Sequence, residues 1–593
     1  MTPPLKRLPK IIYYQDKQLK MDIKRTLLWA VLTISGLMLY NNWLLYDGQQ
    51  ALFGPTPLTP NVSKPLEPKE TQTGAPAVAN PATPQTPATP PSAADLPKQA
   101  GLPQPQQGPS ISVTNLTTGE KHSIKNDVLE LEISTTGASV INAKLLKQLG
   151  IDKKPITLLQ ITPQNQYFVR SGLISATSND LPNHTATFVL SKNGRAENKN
   201  LISFVSEKGG VRLEKTYFLS DGSYVVEVEH RITQISTQGA ANPLVLYSEL
   251  VRDGTAVSDS EFYSTFTGPA LYTDKEKFTK IDFSDIEKNK ANIPRQIPAG
   301  EPGWVAMVQH YFASAWLPSD KTVRDVYVGK VEQNLYRIGL QTPLNPLAAG
   351  ASHIEKTRLF IGPQEETLLE KIAPGFDLIK DYGYLTVIAK PIFWLLEQIH
   401  SYVANWGWAI VILTLLIKLL FFPLSAASYK SMARMKEVQP RLMTLREQLK
   451  GDPQKLNRAM MDLYKQEKIN PLGGCLPVVV QIPVFIALYW VLLSSVEMRN
   501  APWILWINDL SVPDPYYILP VIMAVSMYVQ VKLNPTPPDP LQAKIMMWMP
   551  IVFSVMFFFF PAGLVLYWVV NNILSIAQQW QINQMFAKRS ANK

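Results

Sequence analysis

Lys418 stands in WGWAIVILTLLIKLLFFPL, a stretch that is otherwise uncharged and apolar. Placing a cation at the centre of a membrane helix costs about 2.5–3.5 kcal/mol, so a spanning segment that keeps one exposes it to a watery cavity or lets its stem snorkel to the headgroups. Position 418 alone admits both, because it lies only about a turn and a half before Pro423. Other segments carry matching polarity. Thr414 precedes Lys418 by four residues on the same helical face, Gln481 interrupts a second apolar run, and Ser526 and Gln530 share a face of a third. Asn571, Ser575, Gln578 and Gln579 line a fourth. Amides and hydroxyls facing lipid lose their hydrogen bonds, so these groups are expected to converge on a hydrated groove or to pair as glue between helices. The chemistry on offer is non-covalent: transient satisfaction of polar or acidic peptide groups at membrane depth.

Other chemistries lack their residues. One cysteine excludes a disulfide framework, and His122, His184, His230, His310, His353 and His400 show no ligand spacing, so no metal or other cofactor is expected. A G-x-x-x-x-G-K-[ST] phosphate loop is absent from the sequence.

Composition then shows what must position these groups. The 593 residues carry a net charge of +10, with 18% charged and 46% apolar side chains. Soluble proteins carry roughly 25% charged residues, and the deficit is concentrated in one N-terminal stretch and across the C-terminal third. Residues 26–46 form a charge-free run that spans roughly 30 Å as a helix. Its length and the lack of a small-x-small site after Tyr46 favour an anchor over a cleaved signal peptide. Met21 makes a conventional alternative start to Met1. Residues 47–110 read as a tether, with 15 of the 48 prolines between 51 and 110. Residues 111–365 alternate in period two, as in Leu129-Glu-Leu131-Glu-Ile133, Val211-Arg-Leu213-Glu-Lys215-Thr-Tyr217 and Val226-Glu-Val228-Glu-His230-Arg-Ile232. One large β-sandwich is predicted there, a binding or scaffolding module rather than an enzyme.

Residues 376–403 place Leu385, Ile388, Ile392, Leu395, Leu396 and Ile399 at helical spacing while retaining Lys390 and Glu397. That pattern predicts an interfacial helix, the alternative being a surface helix of the sandwich. Spans are predicted at 405–424, 475–495, 516–531, 545–560 and 563–580, some barely long enough. The segments 1–25, 426–470, 532–544 and 581–593 hold seven, ten, two and three Lys/Arg, whereas the loop 496–515 holds only Arg499. Both termini are therefore expected in the cytoplasm, with the β-domain across the membrane. Residues 47–404 hold 33 basic and 36 acidic groups, while the four cytoplasmic pieces hold 22 and 8. The basic excess suits anionic lipid or ribosomal RNA and is no DNA-binding signature.

Within 426–470, Met432, Met435, Val438, Leu442, Leu445 and Leu449 step by three or four. Gly451-Asp452-Pro453 breaks the run, and Leu456, Met460 and Leu463 resume it. A helical hairpin is predicted, with Pro440 kinking its first arm or marking a join. Its methionines are either core filler or an adaptable surface for apolar clients.

The stretches Asn470-Pro-Leu-Gly-Gly-Cys475-Leu-Pro, Gln481-Ile-Pro-Val-Phe485-Ile-Ala-Leu-Tyr489, Asp514-Pro-Tyr-Tyr-Ile-Leu-Pro520 and Gly563-Leu-Val-Leu-Tyr567-Trp568 resemble the YidC/Oxa/Alb family of membrane-protein insertases, in its Gram-negative form. The resemblance covers nearly the whole chain in order. It implies a polytopic α-helical inner-membrane protein of six spans with a five-helix core and a cytoplasmic hairpin. It also implies a periplasmic supersandwich of galactose-mutarotase-like fold, and a groove closed toward the periplasm but open to cytoplasm and lipid. The family commonly places Arg at the groove cation; the matching position here is Lys418, which preserves charge but lacks the planar bidentate fork. Gln481, Phe485, Tyr489, Tyr567 and Trp568 carry over as groove or slide residues. Implied partners are nascent membrane proteins, the Sec translocon, ribosomes and signal-recognition targeting factors, and no enzymatic activity is implied. A secondary transporter also buries a lysine and amides, but no second set of broken helices marks an inverted repeat. A sugar-binding enzyme in the β-domain is the other rival.

Overall fold

The computed structural model describes residues 118–150, 152–191, 200–236, 243–255, 265–449, 452–467, 476–534 and 540–591. The expected tail at 1–25, the anchor at 26–46, the linker at 47–110 and the choice between Met1 and Met21 fall outside them, as do residues 468–475.

Alternation of apolar and polar side chains builds the N-terminal half. Its strands are Lys121–Lys125 (β1), Leu129–Ser134 (β2), Ser139–Leu149 (β3), Pro155–Ile161 (β4), Gln166–Ile174 (β5), Val189–Leu190 (β6), Leu201–Lys208 (β7), Val211–Leu219 (β8) and Val225–Gln234 (β9). They continue as Val245–Asp253 (β10), Gly268–Thr273 (β11), Lys277–Lys280 (β12), Gln296–Ile297 (β13), Gly303–Gln309 (β14), Phe312–Pro318 (β15), Arg324–Glu332 (β16), Leu335–Pro343 (β17) and Ser352–Pro363 (β18). Two nine-stranded sheets result, in the orders β1-β2-β3-β4-β5-β10-β17-β16-β13 and β12-β11-β14-β15-β18-β9-β8-β7-β6. Neighbouring strands pair antiparallel, and one apolar core holds Val169, Leu173 and Leu250 of the first sheet with Leu213, Val305 and Trp316 of the second. The sandwich expected from period two is present.

The same alternation drives two polar groups into that core. Lys215 and His230 face each other in register on β8 and β9, on the face that also buries Leu213 and Ile232. The Lys215 ammonium donates to the carbonyls of Gly137 and Ser171 at 2.6 and 2.8 Å, and His230 Nε2 lies 2.9 Å from the Ser171 hydroxyl. Burial pushes Lys215 down to about 7 and, with the Lys215 charge beside it, His230 down to about 3.

The C-terminal half is helical. After two short helices on the sandwich, Phe283–Glu287 (α1) and Glu366–Ile372 (α2), come Thr386–Val403 (α3), Trp406–Leu420 (α4), Phe422–Gln448 (α5) and Pro453–Gln466 (α6). Leu476–Ser494 (α7), Ile518–Leu533 (α8), Pro540–Met556 (α9) and Ala562–Ala591 (α10) complete the set. Their shared core gathers Leu396, Leu413, Leu488, Val491, Met523, Leu564 and Leu566. Among the described residues no single helix is long and apolar enough to cross a membrane, though α4 and α5 pass that test together across a 67° bend.

Several expected boundaries differ from those observed. The run at 405–424 divides at Phe421, where Pro423 in the first turn of α5 has no N–H to continue the α4 ladder. Asn405 fixes the other end of α4 by accepting the Trp408 N–H at 3.1 Å. The helix expected at 376–403 begins only at Thr386, after short 3-10 turns at Phe376–Ile379 and Gly383–Leu385 entered through glycines at positive φ. Pro440 does not end or divide α5, which stays helical through Gln448. In α3, Ala389, Phe393, Leu396 and Ile399 pack inward while Val387, Trp394 and Tyr402 remain exposed.

Candidate functional site

Helix α10 supplies the backbone of the site. Asn571, Ser575 and Gln578 follow one another at i, i+4 and i+7, so they share one stripe along it. Lys418 of α4 reaches the middle of that stripe: it is 6% exposed, and its ammonium donates to the Ser575 hydroxyl at 2.7 Å. Ser575 in turn donates to the Asn571 carbonyl at 2.7 Å, and the Gln481 amide of α7 donates to Asn571 Oδ1 at 2.7 Å. Three expected spans are thus joined through one continuous polar chain, Lys418–Ser575–Asn571–Gln481. Tyr429 of α5 approaches the same Ser575 hydroxyl.

Two acceptor and donor atoms beside this chain are buried without a hydrogen-bond partner among the described residues: Gln578 Oε1 and Trp568 Nε1. Lys418 has no carboxylate within ion-pairing distance among the described residues, in contrast to Lys380 and Lys390 farther up the molecule. An unopposed buried cation beside unsatisfied amide and indole groups is costly to hold in isolation and well suited to a polar guest.

Other expected groove residues lie elsewhere. The Thr414 hydroxyl is buried and donates back to Ile410 O at 2.7 Å, so its polarity is spent within its own helix. Ser526 of α8 joins a separate set: it donates to Met523 O at 2.8 Å and accepts from Asn572 at 3.2 Å. Gln579 bridges α10 to the end of α8 through Leu533 O and Asn534, at 3.3 and 3.1 Å. Asn572 and Gln579 form a second stripe about 100° around α10 from the first. Gln530 is half-buried on α8. Asn572 was missed by sequence reasoning; the Asn571-Asn572 doublet in an apolar helix was the available signal.

The aromatic residues expected as a slide form one packed cluster. Phe485 of α7 lies edge-on to Trp568 of α10, ring centres 4.4 Å apart, and parallel to Tyr567 at 6.1 Å. Phe557 meets Trp568 at 5.3 Å, and Tyr489 meets Phe560 at 6.2 Å. Tyr567 is 1% exposed and packs internally, whereas Phe485, Tyr489 and Trp568 are half-buried.

The hairpin residues divide in the same way. Val438 and Leu442 of α5 are buried against Met435 of the same helix and Met460, Leu463 and Tyr464 of α6, and Arg441 closes the pair onto Glu467 at 2.7 Å. Met432 and Leu445 are half-buried outside that cluster, and Met443 and Met461 are exposed.

Comparison with known proteins adds an independent line. Residues 398–589 match the family described as 60Kd inner membrane protein, and residues 121–395 match the YidC periplasmic domain. The membrane protein insertase YidC of Polynucleobacter necessarius subsp. necessarius is 62% identical, the match covering 96% of this chain and 100% of that protein. Its counterpart from Cupriavidus necator is 55% identical over 96% of this chain and 99% of that one. Among solved structures, an active YidC insertase with its first transmembrane domain resolved is 16% identical, with a TM-score of 0.34 over 77% of this chain and 91% of that one. A galactose mutarotase related enzyme from Lactobacillus acidophilus is 9% identical, with a TM-score of 0.31 over 41% of this chain and 97% of that one. Neither structural likeness speaks to activity. On the family matches and the near-full-length relatives, the chain belongs to the YidC family of bacterial inner-membrane protein insertases, which are not enzymes, and residues 121–395 are its periplasmic domain.

Proposed function

We propose that this insertase receives nascent hydrophobic segments at the Lys418–Ser575–Asn571–Gln481 chain and releases them sideways into the bilayer. The observation that carries the reading is the buried cation without a carboxylate partner among the described residues, set beside the unpartnered Gln578 Oε1 and Trp568 Nε1. A polar or acidic tail entering a hydrated groove from the cytoplasm takes up these groups for a moment, which lowers the cost of carrying charge into hydrocarbon. Its apolar helix then moves past Phe485, Tyr489 and Trp568 into lipid, where burial supplies about 25 cal/mol per Å² of apolar area. Tyr567 supports that wall from behind. Gln530 is assigned to the α8 side of the groove, while buried Ser526 and Thr414, bonded to Asn572 and to the α4 backbone, support its walls from within the bundle. Neither nucleotide nor metal enters the cycle.

The topology follows the charge asymmetry: six spans, both termini cytoplasmic, and α5–α6 as a cytoplasmic hairpin. Half-buried Met432 and Leu445 beside packed Met435, Leu442 and Met460 offer that hairpin a soft apolar face for arriving chains, ribosomes or targeting factors. Its basic residues meet anionic lipid headgroups, and the chain works alone or beside the Sec translocon.

The test is site-specific photocrosslinking from positions 418, 481 and 568 to a ribosome-stalled membrane protein in native membranes. Adducts at all three positions that disappear when the client is released support the proposal. Adducts confined to lipid-facing positions such as Val525, with none at 418 or 481, reject it.

A further inference from the structure

Where the chain leaves the periplasmic domain for the bundle, Lys380 is fully buried and grips both oxygens of Glu497, at 2.9 and 3.0 Å. Its ammonium also sits 3.7 Å from the centre of the Phe393 ring on α3. Glu365, Glu366 and Glu397 lie within electrostatic reach of the same ammonium, so one cation holds together the end of the sandwich, α3 and the segment just after α7. The β14–β15 turn reaches the same place from the other side. His310 Nε2 lies 3.0 Å from the carbonyl of Leu493 in the last turn of α7, and the Arg499 guanidinium stacks on Tyr311 at 4.9 Å while donating to Leu149 O at 3.3 Å. The end of α7 is therefore pinned from two directions by the periplasmic domain.

Helix α7 carries Gln481 at its other end and is buried along Ala487, Leu488 and Val491 between them. A packed helix transmits displacement as a rigid element. We propose that Lys380 and Glu497 are a positioning clamp: they fix α7 against the sandwich and so set the register of Gln481 against Asn571 in the insertion site. The proposal rests on the reading of that polar chain as the place where clients are received. Lys380 is a positioning residue, touching no client.

The experiment uses the full chain in proteoliposomes with Cys475→Ser, and compares the parent with Lys380→Met and Lys380→Arg. Spin labels at the exposed positions Val189 on the sandwich and Tyr516 in the bundle report their distance distribution, and insertion of a model client is measured in parallel. Met keeps the stem and loses the charge; Arg keeps the charge and both hydrogen bonds. Lys380→Met is expected to widen the distribution and to slow insertion about tenfold or more, since misplacing a site by about 1 Å can cost up to about 100-fold, while Lys380→Arg restores both. An unchanged distribution in Lys380→Met overturns the clamp. A widened distribution with unchanged insertion overturns its positioning role but leaves the polar chain standing. If Gln481→Ala and Lys418→Ala also insert a client with an acidic translocated tail normally, it is the client-receiving reading that fails.

Discussion

Removing the charge at position 418 separates electrostatic reception of clients from simple helix packing. In the resting structure the Lys418 ammonium spends one hydrogen bond on Ser575 and none on a carboxylate among the described residues. A client acid that replaces or joins Ser575 gains a charge-assisted hydrogen bond with a net worth of about 1.5–3 kcal/mol. At 1.4 kcal/mol per decade, that is roughly a 10- to 150-fold effect on passage of an acidic tail. Lys418→Ala should lose it. Lys418→Arg should insert within a few-fold of the parent, because the requirement is for a donor cation and not for the shape of its head. The assay is insertion into proteoliposomes of one client in two forms, with two acidic residues or none in its translocated tail, scored by protease-protected fragment. The uncharged form should pass Lys418→Ala almost normally. Equal insertion of the acidic form by Lys418→Ala and Lys418→Arg refutes the reasoning.

Three further outcomes follow from the buried groups. With Lys215 held at about 7 against an ordinary 10.5, the unfolded sandwich binds the extra proton between those values. Its stability should therefore rise with pH across that window, by about 1.4 kcal/mol per unit from this group; hydrogen exchange of β8 amides should show the rise, and Lys215→Met should flatten it. His230, lowered to about 3 from 6.5, acts in the acid range: stability present above 6.5 is lost as pH falls toward 3, and His230→Gln should make β9 exchange less acid-sensitive. Leu442→Asp puts a carboxylate into the small cluster formed by Val438, Met435 and Met460, and should release α6 by about 2–3 kcal/mol in local exchange without changing exchange in β8.

The sandwich was legible because alternation is a short-range signal: Leu129, Leu131 and Ile133, and equally Lys215 and His230, lie on the faces their parity assigns. The stripe of Asn571, Ser575 and Gln578 was legible for the same reason, since i, i+4 and i+7 share a face whatever the neighbours are. What periodicity lacks is the phase of one helix against another. For that reason Thr414 turned out to bond its own backbone, Ser526 joined Asn572 rather than Lys418, and Tyr567 packed inward. The division at Phe421 was hidden too, because Pro423 is compatible both with a kink inside one span and with the start of a new helix. The Lys380–Glu497 pair joins residues 117 apart in sequence, a separation no local pattern encodes.

The brevity of α4 bears on the lipid itself. Its 15 residues amount to about 22 Å of helix, against a hydrocarbon slab of about 30 Å. With α4 as a span of its own, as the proposed topology has it, a bilayer meeting so short a wall would be drawn inward around it, bringing headgroups and solvent closer to the midplane there. In the proposed topology the ammonium two residues from the end of that helix would then stand at a shallow depth, and a segment crossing beside it would have less oil to traverse than one crossing the unperturbed bilayer.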